Sequence, residues 1–203
     1  TIVENYPKPA MDTAMNILST HDTIRAITVL AGEPVNGRDR AWQAQQSLSA
    51  EQYKLGESRL KCAMVLQFFL PGVPCIYYGD EAGMEGYSDP FSRKCYPWGN
   101  ENSKLVAFTK ELADIRHSLP VLAQGSLKPL YFSDDLAVFA RISDKDCECD
   151  CAVIALNKSQ VEQGLPADIL AGFSEITVKR GNSQSTIPPY DYIVLLATKK
   201  AEH

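Results

Sequence analysis

The chain has 203 residues, of which 45% are apolar, and its 25 acidic and 20 basic side chains give a formal net charge of −5. This balance predicts one soluble globular unit or two small ones. An acidic chain without a long run of Lys and Arg argues against nucleic acid or anionic lipid as a partner. No apolar stretch approaches the roughly 18 residues of a membrane span, so the sequence predicts none.

The first half of the chain alternates apolar runs with helical patterns. The run TAMNILST, residues 13–20, is short and apolar and predicts a buried strand that ends in the polar cluster STHDT. The segment IRAITVLAG reads as short helical or irregular structure, and EPVNGRDR is a loop by composition. Ser49 and Gln52 have the capping-box spacing that begins a helix, which Pro71 ends.

A second unit of the same kind follows. The run GVPCIYYGDE predicts another buried strand, bounded by Gly and Pro and again ending in charges. The segment AGMEGYSDPFSRKCYPWGNEN predicts a long irregular loop, and loops of about twenty residues without secondary structure are usually functional. Asn102 or Ser103 then caps a helix that ends near Pro120. Residues 1–120 therefore predict the order strand, helix, strand, helix.

From Gly125 onward the apolar pattern changes to period 2. The segments LKPLYF, LAVFARI, CAVIALN, SEITVKR and YDYIVLLAT are separated by turns such as SDD, GLPAD and RGNSQS. Short strands at this spacing predict an antiparallel β-sandwich. The boundary is predicted near residues 124–126, which divides the chain into 1–124 and 125–203.

The cysteines do not suggest a disulfide scaffold, because six in a chain of this length are too few. Cys147, Cys149 and Cys151 would share one face of a strand, as a thiolate metal site or as a polar hairpin tip that carries thiols. Zinc ligands are normally separated by two or more residues, and no histidine lies nearby. This spacing favours reduced thiols, no metal and a cytoplasmic protein, and no sequence motif for a cofactor is present.

Polar residues follow both predicted parallel strands, where α/β barrels and open α/β sheets build their sites: His21, Asp22, Asp80 and Glu81. The segment MNILSTHDTIR resembles the end of the seventh barrel strand in the α-amylase family, glycoside hydrolase family 13. The segments GVPCIYYGDEAGMEG and DPFSRKCYPW resemble its eighth strand and following loop, in the form seen in the neopullulanase, cyclomaltodextrinase and maltogenic amylase branch.

This resemblance implies an α/β plus all-β architecture. Residues 1–124 would be the last two βα units of a (β/α)8 barrel, and residues 125–203 the antiparallel β-sandwich that follows the barrel. The substrate implied is an α-glucan oligosaccharide of the maltodextrin, pullulan or cyclodextrin type, whose bonds the family cleaves with retention.

The resemblance also implies roles for four residues. Asp22 matches the family carboxylate that stabilises the oxocarbenium-like transition state, and hydrogen bonds to the sugar that tighten there contribute several kcal/mol in glycosidases generally. His21 matches a histidine that contacts the −1 sugar. Asp89 and Arg93 match a carboxylate and a guanidinium that hold the non-reducing end of the substrate.

Each of these residues also has a simpler interpretation. Without the resemblance, Asp22 is better read as a helix N-cap. The alternative interpretation of His21 is a core histidine, that of Asp89 a turn residue before Pro90, and that of Arg93 a solvated loop charge. Glu81 is expected to be structural. Several aromatic residues are either sugar-stacking platforms or packing residues: Tyr77, Tyr78, Tyr87, Tyr96 and Trp98.

The catalytic pair of the family is missing. Retaining glycosidases need two carboxyl groups about 5–5.5 Å apart, and the family motifs that carry them, an Arg-x-Asp and a Glu, do not occur here. We therefore expect a carboxyl-terminal piece of a longer enzyme that is inactive alone. Its exposed sheet edge would be covered by the missing part of the barrel or by self-association. The alternative is a non-catalytic module, a carbohydrate-binding or structural β-sandwich.

Overall fold

The computed structural model describes residues 2–143 and 151–199, which form two compact units. The site unit comprises residues 15–67 and 74–113, and the sandwich unit comprises the remaining described residues. The helices are α1 (Ile2–Asn5), α2 (Lys8–Thr13), α3 (Ala26–Ala31), α4 (Arg40–Gln45), α5 (Ala50–Phe69), α6 (Ser103–Ser118) and α7 (Val121–Gln124). The strands are β1 (Met15–Ile17), β2 (Val73–Cys75), β3 (Ser126–Phe132), β4 (Leu136–Ile142), β5 (Cys151–Asn157), β6 (Gln163–Gly164), β7 (Phe173–Arg180), β8 (Thr186–Ile187) and β9 (Tyr192–Lys199). The division of the chain into a barrel part, residues 1–124, and a β-sandwich domain, residues 125–203, stays a prediction.

Helix α5 begins where the capping box predicts. The Ser49 hydroxyl accepts a hydrogen bond from the Gln52 backbone N–H at 3.1 Å, and the Gln52 side chain accepts one from the Ser49 backbone N–H at 2.9 Å. Asn102 caps α6 in a similar way, since its side-chain oxygen accepts from the N–H groups of Lys104 and Leu105, both at 3.1 Å. Both predicted helix starts are therefore confirmed.

Strands β1 and β2 pair in a two-stranded sheet, and Gln67 of α5 connects them. Its side-chain nitrogen donates to the carbonyl oxygens of Asn16 and Cys75, at 3.0 and 2.9 Å. The prediction that both strands are buried is wrong, because Met15 is 64% exposed, Ile17 43% and Val73 of β2 46%. Two strands with helices nearby do not cover both faces of the sheet, so alternate residues of β1 remain in solvent.

The sandwich unit confirms the antiparallel prediction. Its main sheet has the strand order β3-β4-β5-β9-β7, and β6 pairs with β8 in a smaller sheet. Strands β4 and β5 are buried along almost their whole length, and Val138 pairs with Ala155 at their centre. One face of the large sheet forms the core with Ile187 of β8 and partly buried residues of the 165–170 segment.

A buried arginine connects this sheet to two helix ends. Arg141 of β4 has no exposed surface, and its guanidinium donates to the carbonyl oxygens of Phe69, Leu122 and Gly125. Phe69 ends α5, and Leu122 lies in α7. A cation at the carboxyl end of a helix satisfies carbonyl groups that have no partner within the helix.

Among the described residues, no helix is long and apolar enough to cross a membrane.

Candidate functional site

His21 and Asp22 lie in a turn between β1 and α3. Thr20 orders this turn, because its backbone N–H donates to the Thr23 hydroxyl at 2.8 Å and its own hydroxyl accepts from the Asp22 N–H at 3.2 Å. Helix α3 begins at Ala26, four residues after Asp22. The N-cap interpretation of Asp22 is therefore wrong, and its carboxylate remains available for other partners.

Arg93 contacts the other three residues of the predicted site. Its Nη2 donates to the Asp22 carboxylate at 3.2 Å, and its Nε lies 3.0 Å from the His21 carbonyl oxygen and 2.9 Å from the Asp89 carboxylate. The His21 ring nitrogen Nε2 lies 3.2 Å from the other Asp22 oxygen. We call His21, Asp22, Asp89 and Arg93 the Arg93-centred cluster; the structure brings its members together, and their roles stay predictions.

The cluster faces solvent. The side chain of His21 is 64% exposed and that of Asp22 71%, so the interpretation of His21 as a core histidine is wrong. Arg93 is not an isolated solvated charge either, since it bridges two carboxylates. With two carboxylates and one guanidinium, the cluster carries a net charge of about −1 when His21 is neutral. Exposed polar groups arranged in this way can hydrogen-bond a hydroxylated ligand and favour positive charge near Asp22.

A buried layer under the cluster holds the two segments together. Arg25 has no exposed surface; its Nε donates to the Ser92 carbonyl oxygen at 2.8 Å, and its Nη1 donates to the Tyr78 carbonyl oxygen and, at 3.2 Å, to Asp80. The Ser92 hydroxyl in turn donates to the His21 carbonyl oxygen at 3.2 Å. Arg25 therefore positions the 3-10 helix Phe91–Arg93 against the turn that carries Asp22.

The pair of Arg25 and Asp80 lies in an apolar environment with aromatic rings on the guanidinium. The Cζ atom of Arg25 lies 4.1 Å from the ring centre of Tyr77 and 4.8 Å from that of Tyr78, within cation–π distance. Burial raises the pKa of Asp80, and hydrogen bonds from Ser19 and Arg25 oppose this shift. A carboxylate that is both buried and paired with a cation is expected to show these two opposite effects on its pKa.

Arg25 is the residue supporting the candidate site that sequence reasoning missed. It lies inside the apolar segment IRAITV, where one charge carries no periodic signal. Only the pairing with Asp80, which is 55 positions away, shows why an arginine occupies this position.

A second arginine supports Asp89 from another direction. Arg40, the first residue of α4, donates from Nη2 to the Asp89 carbonyl oxygen at 2.7 Å. The sequence does not predict helix α4, because RAWQAQ is only six residues long and half polar. The Asp39 carboxylate caps the helix by accepting from the Trp42 N–H at 2.8 Å. Asp89 is therefore held through its backbone by one arginine and through its side chain by Arg93.

Other candidate residues have structural contacts. Glu81 accepts a hydrogen bond from the Gly79 N–H at 2.8 Å. Tyr87 is buried against Trp42, with ring centres 5.3 Å apart, so it is a packing residue and not a stacking platform. Cys147 and Cys149 lie outside the described residues. Within residues 2–143 and 151–199, no group of three or more His, Cys, Asp or Glu side chains is arranged to hold a metal ion.

Comparison with known sequences finds relatives over most of the chain. Amylopullulanase from Thermoanaerobacterium thermosulfurigenes is 38% identical over 175 residues, which is 83% of this chain and 9% of that protein. Cyclomaltodextrinase from Geobacillus thermopakistaniensis is 27% identical over 95% of this chain and 30% of that protein. Neopullulanase 2 from Thermoactinomyces vulgaris is 27% identical over 94% of this chain and 30% of that protein. The chain thus spans a third or less of these relatives, and no family model matches it.

Solved structures share the fold over the same extent. The debranching enzyme of Nostoc punctiforme superimposes with a TM-score of 0.71, at 24% identity, over 96% of this chain and 38% of that chain. The α-amylase of Geobacillus thermoleovorans, solved with acarbose, gives a TM-score of 0.63 at 25% identity over 91% of this chain and 39% of that chain. The predicted architecture, two βα units followed by an antiparallel sandwich, is therefore confirmed by the fold that the chain shares with these two enzymes.

Proposed function

Because the chain belongs to the α-amylase family, glycoside hydrolase family 13, in its neopullulanase-like branch, we propose that it forms part of an enzyme that hydrolyses α-glucosidic bonds. In this proposal Asp22 stabilises the transition state, and His21, Asp89 and Arg93 bind the sugar. The observation that carries it is the convergence of the Asp22 and Asp89 carboxylates and the His21 carbonyl oxygen on the Arg93 guanidinium, at 2.9 to 3.2 Å.

The charges of the cluster suit this chemistry. The glycosidic transition state has oxocarbenium character, so positive charge develops at the anomeric carbon and ring oxygen. A carboxylate at Asp22 favours that charge, and the contact with Arg93 fixes its orientation before the substrate arrives. The same guanidinium holds Asp89, and the remaining carboxylate oxygens can accept hydrogen bonds from sugar hydroxyls.

The chain by itself is proposed to be inactive. Cleavage with retention needs a nucleophile and an acid/base about 5–5.5 Å apart, and the sequence contains neither family motif for them. Asp22 and Asp89 both contact Arg93, and neither matches the missing pair. Purified chain incubated with pullulan or a nitrophenyl α-maltoside is expected to release no product above the Asp22→Asn variant.

The partners proposed are an α-glucan and whatever covers the exposed face of β1. Met15 and Ile17 place large apolar side chains in solvent, and an open strand with apolar residues is a pairing surface. In a longer protein the rest of the barrel would cover it, and in the isolated chain a second copy would.

A segment exchange tests the catalytic role directly. The chain replaces the matching segment of the Thermoanaerobacterium thermosulfurigenes amylopullulanase, which is 38% identical to it, and pullulan hydrolysis is measured. The exchanged enzyme is expected to be active, and Asp22→Asn in it to lower kcat about 100-fold or more, because a contact that tightens only in the transition state contributes several kcal/mol.

The matched control is Asp168→Asn, an exposed aspartate of the sandwich unit whose loss should leave kcat unchanged. An Asp22→Asn enzyme with kcat within about twofold of the parent exchange would contradict the proposed role. If KM rises while kcat stays constant, Asp22 binds the sugar equally in the ground and transition states, and the assignment as transition-state stabiliser fails.

A further inference from the structure

The site unit contains a cavity that the Arg93-centred cluster does not use. Its volume is about 410 Å³, and its walls come from α5, from the segment that follows β2 and from the start of α6. Volumes of about 300–1,000 Å³ are typical of small-molecule sites. Its lining includes Lys94 and excludes His21, Asp22, Asp89 and Arg93. We call it the Lys94 cavity.

One wall of the Lys94 cavity is rigidly built. The Tyr53 hydroxyl donates to the Gly83 carbonyl oxygen at 3.0 Å and lies 3.4 Å from the Asn102 side-chain nitrogen. Gly83 has φ +75°, and a Cβ atom there would lie 2.2 Å from the Tyr53 hydroxyl oxygen. Only glycine combines this positive φ with so close an approach, so Gly83 allows the contact with Tyr53 that shapes this wall.

The other lining residues offer polar groups that are wholly or partly free to bind a ligand. Within residues 2–143 and 151–199, the Lys94 ammonium and the Asn100 amide make no hydrogen bond or ion pair. Glu85 and Glu101 each use one carboxylate oxygen on a backbone N–H, that of Leu48 at 2.7 Å and that of Gly99 at 3.1 Å. The cavity therefore presents donors and acceptors together, which suits hydroxyl groups because a hydroxyl is both a donor and an acceptor.

An aromatic pair of one half-buried ring, Tyr96, and one exposed ring, Trp98, adjoins these lining residues in the chain. Tyr96 and Trp98 flank Pro97, a lining residue, and their ring centres are 4.6 Å apart. Trp98 is 81% exposed, the highest exposure among the large hydrophobic residues of the described chain. A large ring held in solvent by an aromatic neighbour offers a flat apolar face next to polar groups.

We propose that the Lys94 cavity and the Trp98 ring form a second saccharide-binding site, separate from the Arg93-centred cluster. Asn100, Glu101 and Lys94 bind hydroxyl groups, and the C–H face of a sugar ring lies on Trp98. The choice of a saccharide among polyhydroxylated ligands rests on the proposed function. The cavity and its polar groups are features of the structure and do not depend on that proposal.

Fluorescence of Trp98 tests the proposal on the chain itself. The sequence has two tryptophans, Trp42 and Trp98, so the Trp42→Phe variant reports Trp98 alone and keeps a ring against Tyr87. Titration with maltotriose is expected to give a saturable change in Trp98 emission. Asn100→Ala in this background should raise Kd about fivefold, the effect of losing one neutral hydrogen bond.

Two controls separate this site from the catalytic cluster. Asn182→Ala removes another exposed asparagine that follows a glycine, in the sandwich unit, and should leave Kd unchanged. Asp22→Asn should also leave it unchanged. Because the segment exchange measures hydrolysis and this titration measures binding at Trp98, either proposal can fail while the other holds.

Three results would overturn the second site. The first is the absence of a saturable change in Trp98 emission. The second is a change that Asp22→Asn abolishes and Asn100→Ala leaves intact, since the ligand would then bind only the Arg93-centred cluster. The third is an equal change with glycerol at the same hydroxyl concentration, because the response would then report solvent and not a bound sugar.

Discussion

Replacement of Arg25 by Met should destabilise the site unit strongly and in a pH-dependent way. The guanidinium is fully buried and bonds to two carbonyl oxygens and to the carboxylate of Asp80. Met keeps much of the apolar stem but leaves these oxygens without a donor. Removal of one partner of a buried ion pair costs about 3–5 kcal/mol, and we expect a loss of that size in the free energy of unfolding at neutral pH.

The pH dependence follows from the raised pKa of Asp80. Since burial raises this pKa in the folded state above its ordinary value of 3.8, the folded chain binds the proton more tightly than the unfolded chain. The free energy of unfolding therefore falls as pH rises from about 3.8 through the folded pKa. Loss of Arg25 removes an attraction that lowers this pKa, so the destabilisation by Arg25→Met should be larger at pH 7.5 than at about pH 4.5.

Urea denaturation followed by tryptophan fluorescence measures the effect, because both tryptophans lie in the site unit. Arg59→Met is the matched control, since Arg59 is exposed and makes one backbone hydrogen bond; its loss should cost less than about 1 kcal/mol. In a double-mutant cycle, Arg25→Met with Asp80→Asn should lose about 1–3 kcal/mol less than the sum of the single changes. Additive losses that do not vary with pH would refute the ion-pair reasoning.

Two further predictions concern the cavity wall and the exposed strand. Gly83→Ala should destabilise the site unit more than Gly37→Ala in urea denaturation, because both glycines have positive φ but only Gly83 lacks space for a Cβ; equal losses would mean that Tyr53 moves freely. The chain should self-associate in sedimentation experiments, and Ile17→Ser should shift it toward monomer, whereas Val178→Ser on the sandwich should not. A parent chain that sediments as a compact monomer would contradict the second prediction.

The strands of the sandwich were predictable because each has a recognisable pattern within its own segment. In β4, β5 and β9 the apolar runs end at turn residues, and the sheet confirms each segment and its antiparallel pairing. Helix α5 was predictable for a similar reason, since Ser49 and Gln52 form a capping box that needs no distant contact. Local sequence features therefore suffice to predict an element when its capping residues and its apolar periodicity lie within the element itself.

The failures share one physical cause, which is that distant contacts decide the outcome. The strand β1 looks buried in sequence, yet Met15 and Ile17 are exposed, because burial depends on which neighbours the sheet has. The sequence gives no sign that Arg25 is buried, and it is buried because Ser92 and Asp80 are brought to it from more than 50 positions away. The Lys94 cavity could not be predicted at all, since no periodic pattern relates Tyr53 to residues 82–102.

The contacts that arrange the Arg93-centred cluster are made between residues of this chain. Its two segments lie 72 positions apart, and the His21 carbonyl oxygen accepts hydrogen bonds from both Ser92 and Arg93. Arg25 reinforces the same junction from below through the Ser92 carbonyl oxygen. Because both partners of each of these contacts belong to this chain, the segment exchange should carry the geometry with it. A loss of turnover in the Asp22→Asn exchange, with the Arg93 contacts to His21 and Asp89 retained, would then be attributable to the Asp22 carboxylate itself.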